Sequence, residues 1–367
     1  MRARDLGIVI GDLAPGPLNA ITDVAGVRVG HTTLISGDGP LVVGQGPIRT
    51  GVTVILPHEG DLGRDPVFAA SHTLNGNGEM TGLEWIREAG MLTTAIGLTN
   101  THSVGVVHDA LIAADIASRE QVGRWSLPVV GETWDGHLND INGQHVRPDH
   151  VFEALRAAAG GPVAEGNVGG GTGMKAFGFK AGIGTASRQV APEHGGYTVG
   201  ALVQANHGRR RHLRIDGVPV GREMPESEIP GPGVPDNATG SIIGVVATDA
   251  PLLPTQCRRL AQRAALGVAR TGGGGETDSG DIFLAFATGN RWLHPEDVEH
   301  LPVTHGIEML GNAHIDALFW ATIEATEEAI VNSMVAAETM VGRDGITIQA
   351  LPHDRLIELM RRYGRLA

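Results

Sequence analysis

Gly240-Ser241 is where residue type and placement offer the most chemistry. A polar, proline-broken stretch ends in Asn237-Ala238-Thr239-Gly240, and Ser241 then opens the apolar run Ile242-Ile243-Gly244-Val245-Val246-Ala247. A backbone cut at this point would give Ser241 a free α-amine of pKa about 7.7–8.0, a base at near-neutral pH. The amine lies within reach of the same residue's hydroxyl, so one residue would supply both nucleophile and base. Gly-Ser is also a common turn dipeptide, and a purely structural loop-to-strand junction is the alternative reading.

Other residues could serve such a nucleophile. In extended chain Ser279 and Asp281 project to one face, with Gly280 between them allowing close backbone approach; an Asp–Ser pair can hold a small proton network, and a polar strand entrance is the bland alternative. Asn206, in Gln204-Ala205-Asn206-His207-Gly208, has an amide that can donate to a developing oxyanion, or simply form a turn. Glu132 and Asp135 flank Trp134 after the strand Leu127-Pro128-Val129-Val130, a set that suits a substrate ammonium through charge pairing and a cation–π face; solvated turn carboxylates are the default alternative. Gly169-Gly170-Gly171-Thr172-Gly173-Met174-Lys175 invites a phosphate-binding reading, but Met174 interrupts the Walker spacing and no Ser or Thr follows Lys175, leaving a glycine turn that lines a pocket. The 16 His residues include no His-Glu-x-x-His pair, and no metal or other cofactor is implied.

These residues need a scaffold. Val52–Leu56 and Thr93–Leu98 read as buried strands, Met80–Ala89 as a helix, and Val104, Val107, Leu111 and Ile112 as one apolar face of a second helix. Val151–Ala159 reads as helical with Asp149 as its cap, and Gly196–Gln204 as strand. From His207 to Gly240 the basic cluster Arg209-Arg210-Arg211 and five prolines (Pro219, Pro225, Pro230, Pro232, Pro235) predict a surface excursion that delivers the Gly240-Ser241 bond. Beyond Ser241 the pattern predicts a strand through Ala247 and a helix carrying Leu253, Cys257, Leu260, Ala261, Ala264 and Val268. It then predicts a strand over Ile282–Phe286 and a long helix from Ala313 to about Met340.

A chain of 367 residues can bury a large core, and 54 glycines, about twice the usual share, point to tight turns and close backbone approaches. The formal charge of −13 argues against general nucleic-acid binding and for a cationic or amine-bearing substrate. The single cysteine, Cys257, rules out an internal disulfide and reads as a buried helical position. No run approaches the roughly 18 apolar residues of a membrane span, and no signal-peptide-like stretch follows the N-terminus, so a cytoplasmic location is expected.

In order along the chain, Ile21–His31, Asn139-Asp140-Ile141-Asn142-Gly143, Gly169–Met174, Gly240-Ser241-Ile242-Ile243, Ala247–Leu252 and Ser279–Phe283 resemble the L-aminopeptidase/D-esterase and β-aminopeptidase family of self-processing N-terminal serine hydrolases. The resemblance covers nearly the whole chain. It implies an α/β (α+β) fold, a four-layer α/β/β/α sandwich similar to N-terminal nucleophile hydrolases with different connectivity. It implies one catalytic domain over 1–367, cut into an α chain 1–240 and a β chain 241–367, with 207–240 as processing linker and a homotetramer of αβ heterodimers as the assembly. By proportion of 38.3 kDa the chains would be about 25 and about 13 kDa. Carried over by residue, Ser241 matches the nucleophile, Ser279 and Asp281 the supporting pair, Asn206 the oxyanion amide and Glu132 the carboxylate for the substrate's free amine. Trp134 falls where some members place a tyrosine; its indole N–H can donate but cannot exchange a hydroxyl proton. The implied activity is removal of N-terminal residues from short peptides, amides or esters. The alternatives are a self-processing acyltransferase of the ornithine acetyltransferase type, which would be expected to use Thr at the cut, and a non-enzymatic nucleotide binder.

Overall fold

Three apolar clusters divide the structure, a computed structural model that describes residues 1–117, 125–233, 240–293 and 303–366, into four layers. One sheet has the strand order β1-β2-β5-β6: β1 Arg28–Ser36, β2 Ile48–Leu56, β5 Ile96–Asn100 and β6 Val129–Thr133. The other has the order β4-β3-β12-β11-β10-β9: β3 Val67–Gly76, β4 Met91–Leu92, β9 Ile183–Gln189, β10 Thr198–His207, β11 Gly240–Thr248 and β12 Gly280–Ala287. Ile55, Leu98 and Val129 of the first sheet pack against Leu202, Ile243, Val245 and Leu284 of the second to form the central layer. Outside the first sheet lie helices α2 (Val104–Ala117) and α3 (Pro148–Ala157), through Val107, Leu111, Val151 and Ala154. Outside the second lie α5 (Pro254–Thr271) and α6 (Ile315–Val335), through Leu260, Ala264, Leu318 and Ala325. The fold is thus an α/β/β/α sandwich. Short elements complete it: α1 Leu83–Ala89, α4 Val220–Glu223, α7 His353–Arg362 and the two-stranded ribbons β7–β8 (Lys175–Ala176, Phe179–Lys180) and β13–β14 (Met340–Val341, Thr347–Ile348).

Side chains alternate across a strand. In β11, Ile242 and Val246 therefore face the helices while Ile243 and Val245 face the other sheet, which puts Ser241 at the end of the inter-sheet layer. Antiparallel pairing sets Asn206 opposite Ser241 and His207 opposite Gly240, and parallel pairing sets Asp281 beside Ile242.

Several predicted boundaries shift. Thr93 to Ala95 lie outside strands and β5 runs on to Asn100. α1 begins at Leu83, because Gly82 sits at φ +74° and Met80 bridges to Gly131. α3 begins at Pro148, whose fixed φ suits the first helical position, so Asp149 lies inside the first turn and is not the cap. It ends at Ala157, since Ala159 pairs with Val29. β10 extends to His207, and the long helix spans Ile315–Val335, with Met340 in β13.

The largest correction concerns the expected surface excursion. Leu213, Ile215, Val218, Val220 and Met224 are buried in the helix-side core, and the Arg210 guanidinium donates to the carbonyls of Phe177, Gly178 and Met224. Proline density argued against long regular elements, and among the described residues between β10 and β11 the only helical elements are short turns, at Arg210–His212 and in α4, but it said nothing about apolar anchoring. Residues 234–239, including Pro235 and Asn237-Ala238-Thr239, lie outside the described residues.

Candidate active site

Ser241 is buried, and its Oγ accepts a hydrogen bond from the Gly280 N–H at 3.2 Å. Glycine is required at 280, because a Cβ there would sit 2.6 Å from the Asn77 carbonyl oxygen and 2.7 Å from the Gly78 Cα. On either side of Gly280, the Ser279 hydroxyl donates to Asp281 Oδ1 at 2.6 Å. Burial pushes the Asp281 carboxyl up to about 6, with the Ser279 hydroxyl and the Ile242 backbone pulling it back and Glu276 adding repulsion. Asp281 is thus linked to the residue that follows Ser241, and the pair reaches the serine through the Gly280 backbone.

Gly240 is just as constrained. Its φ is +83°, and a Cβ would fall 1.7 Å from the Asn206 carbonyl oxygen and 3.3 Å from Asn206 Nδ2. The Asn206 amide therefore lies against the residue whose carbonyl precedes Ser241. Its orientation is fixed from both sides: Oδ1 accepts from the Lys175 N–H at 3.0 Å, and Nδ2 donates to the Trp134 carbonyl at 2.9 Å. One of the two Nδ2 protons remains for another acceptor.

Trp134 meets Asn206 through its main chain. Its indole packs edge-on against His137 at 4.9 Å and lines a cleft of about 210 Å³ with His102, Asn139 and Arg343. The two carboxylates flanking Trp134 part company. Asp135 is fully buried, takes the Asn139 amide at 3.0 Å, and is pushed by burial up to about 7. Glu132 is also buried, accepting from the Glu79 N–H at 3.0 Å and from the Thr101 hydroxyl. Burial raises its carboxyl above the usual value, opposed chiefly by the Thr101 hydrogen bond. Gly78 connects it to the serine: a Cβ on Gly78 would be 3.0 Å from the Gly280 Cα and 3.2 Å from Glu132 Oε1.

The glycine turn 169–175 does not form a phosphate cradle. The N–H groups of Gly169, Gly170, Gly171, Thr172, Met174 and Lys175 are bonded to Thr33, Thr53, Val168, Gly169, Gly171 and Asn206. An anion site needs convergent free donors. Sequence reasoning missed the supporting groups Gly78, Thr101 and Lys180, which carry no motif-level signal because they act through backbone atoms or distant contacts, and it read Lys175 only as the end of the glycine turn. Cys257 is buried in α5, and burial raises its thiol pKa.

The whole chain is similar to known proteins. Peptidase family S58 matches residues 19–348. The chain is 50% identical over 376 residues to the β-peptidyl aminopeptidase BapA of Sphingosinicella microcystinivorans, covering 100% of this chain and 93% of that protein. Among solved structures, a Burkholderia sp. β-aminopeptidase superposes with TM-score 0.93 at 55% identity, covering 99% of each chain. The L-aminopeptidase D-Ala-esterase/amidase of Ochrobactrum anthropi, a prototype for the serine aminopeptidases and a variant of the Ntn hydrolase fold, superposes with TM-score 0.90 at 45% identity, covering 100% of this chain and 99% of that one. The chain belongs to peptidase family S58 and is a serine-type aminopeptidase.

Proposed function

We propose that the enzyme activates itself by cutting Gly240-Ser241 and then releases N-terminal residues, β-aminoacyl residues among them, from short peptides, amides or esters that carry a free amine. The observation that carries this reading is the placement of Ser241: its hydroxyl is held by the Gly280 N–H, and the residue before it lies against the Asn206 amide. In the precursor the Ser241 hydroxyl attacks the Gly240 carbonyl, where no Cβ blocks the approach. The free Nδ2 proton of Asn206 meets the oxyanion. The C–N bond then breaks to leave an ester on Ser241, which water hydrolyses to a Gly240 carboxylate and a Ser241 α-amine. In the mature enzyme the same hydroxyl attacks the substrate carbonyl, aided by that amine or by the Ser279–Asp281 pair. The amine product leaves and water releases the acyl group. Glu132 pairs with the substrate ammonium, which offsets the cost of its buried charge. The β-aminoacyl assignment is supported by the two β-aminopeptidases at 50% and 55% identity.

We further propose a homotetramer of αβ heterodimers, as the family resemblance implies, and a cytoplasmic location, as the lack of a signal-peptide-like stretch in the sequence suggests. No described helix is long and apolar enough to cross a membrane.

Intact mass of the denatured protein tests the reading: species of about 25 and about 13 kDa, the smaller beginning at Ser241, are expected from the 38.3 kDa chain. Ser241→Ala should stay uncut and hydrolyse neither β-aminoacyl nor L-α-aminoacyl p-nitroanilides. Retention of either cleavage or hydrolysis would overturn the assigned nucleophile.

A further inference from the structure

Lys180 is fully buried beneath the site, in a position that no part of the proposed reaction uses. Its ammonium donates to three backbone carbonyls: Ala181 at 2.5 Å, Met174 at 2.7 Å and Gly171 at 3.5 Å. Three acceptors match the three donors of a protonated amine; a neutral amine offers two. Burial pulls its pKa well below the usual lysine value, with Asp135 opposing, so the protonated form rests on the carbonyls that surround the nitrogen.

One of the three carbonyls matters for catalysis. The Met174 C=O and the Lys175 N–H belong to a single peptide group. The carbonyl side accepts from Lys180 Nζ, while the N–H side donates to Asn206 Oδ1 at 3.0 Å. The Asn206 amide nitrogen then lies against Gly240. The ribbon β7–β8 creates this juxtaposition by pairing Lys175 directly with Lys180. Its turn, Phe177-Gly178, has positive φ at both central residues (+52° and +73°), the pattern of a tight two-residue hairpin. Phe177 is a costly residue there, and it is held by its N–H to the His207 carbonyl and by Arg210 on its own carbonyl, both at 2.8 Å.

We propose that Lys180 is a positioning residue for the oxyanion donor: through the Met174–Lys175 peptide it polarises and orients the Asn206 amide. A cation on the carbonyl draws electron density from the peptide and strengthens its N–H as a donor. The stronger bond to Oδ1 in turn makes the Nδ2 protons better donors, the cooperative behaviour of linked hydrogen bonds in a low-dielectric interior. The effect grows as negative charge develops on the reacting oxygen, so it belongs to the transition state rather than to substrate binding. The inference rests on Asn206 serving the oxyanion.

The test uses the processed enzyme, with processing checked by intact mass. For Lys180→Met, kcat and KM are measured on a β-aminoacyl p-nitroanilide, and inhibition constants for a β-amino aldehyde, which forms an oxyanion with the serine, and for the matching alcohol, which does not. Expected for Lys180→Met is a fall in kcat of about three- to tenfold, with aldehyde affinity weakened by the same factor. KM and alcohol affinity should stay within about twofold, and Lys180→Arg, which keeps a cationic donor, should recover most of the loss. If Lys180→Met fails to fold, Asp135→Asn/Lys180→Met against Asp135→Asn gives the same comparison without an uncompensated buried carboxylate. Equal weakening of aldehyde and alcohol, or no weakening of either, overturns the proposal. Asn206→Ala, run in parallel, separates the two levels: unchanged aldehyde affinity there refutes the oxyanion role of Asn206 itself.

Discussion

Asn206→Asp is the most informative single change at the site, because it keeps shape and removes one function. The new carboxyl can still accept from the Lys175 N–H at the 3.0 Å position. Where Nδ2 now donates to the Trp134 carbonyl at 2.9 Å, it places a second oxygen. Two consequences follow. The donor available to an oxyanion is lost, which for comparable donors lowers kcat by about 10²–10³. The Trp134 carbonyl loses its partner, at a cost of about 1–3 kcal/mol for a buried polar group. The sign of the pH effect is opposite for the two quantities. Burial against a carbonyl raises the new carboxyl's pKa in the folded state, so the stability deficit is greatest at neutral pH. It shrinks as the pH falls through that raised pKa, because a protonated carboxyl can donate to Trp134 again. Activity does not recover in the same way, since the α-amine base becomes protonated as the pH falls. The assay is a time course of intact mass for precursor cleavage, kcat on an aminoacyl p-nitroanilide, and urea unfolding at two pH values. Cleavage at the wild-type rate together with kcat within about threefold of wild type would refute the oxyanion assignment, since the predicted loss is at least tenfold greater.

Three more outcomes are expected. Gly240→Ala should block self-cleavage and leave a 38.3 kDa species by mass, because its Cβ would lie 1.7 Å from the Asn206 carbonyl oxygen and φ is +83°; wild-type cleavage would show that β11 does not hold this geometry in the precursor. Glu132→Gln should raise KM for amine-bearing substrates about tenfold or more while kcat changes less. Because burial raises the Glu132 carboxyl, binding should weaken as pH falls through that raised value, and the acid limb of 1/KM should vanish in the variant; an unchanged limb would assign it to another group. Cys257, buried with its thiol pKa pushed up, should stay unreactive toward disulfide reagents until the protein is unfolded, and rapid labelling of active enzyme would contradict its placement in the core.

The sequence by itself determined a good deal. Alternation and apolar runs marked the strands around Val52–Leu56 and Ile242–Ala247, and helical spacing marked α5, because those patterns are local consequences of burial. The i, i+2 relation of Ser279 and Asp281 was legible for the same reason, and the pair forms the expected hydrogen bond. Tertiary structure alone decided what each polar group faces. Glu132 and Asp135 look equivalent in sequence, yet one sits beside Gly78 and the other is sealed with Asn139. Nothing in the proline-rich stretch announced that Leu213, Ile215, Val218, Val220 and Met224 would be buried, since proline reports on backbone and not on packing. The bond from Lys175 to Asn206, and Lys180 beneath it, arise where a hairpin meets a strand 31 positions away from Lys175. Side-chain type and spacing report on local geometry; which backbone donor or carbonyl closes on a buried amide is set by long-range pairing, and no local pattern encodes it.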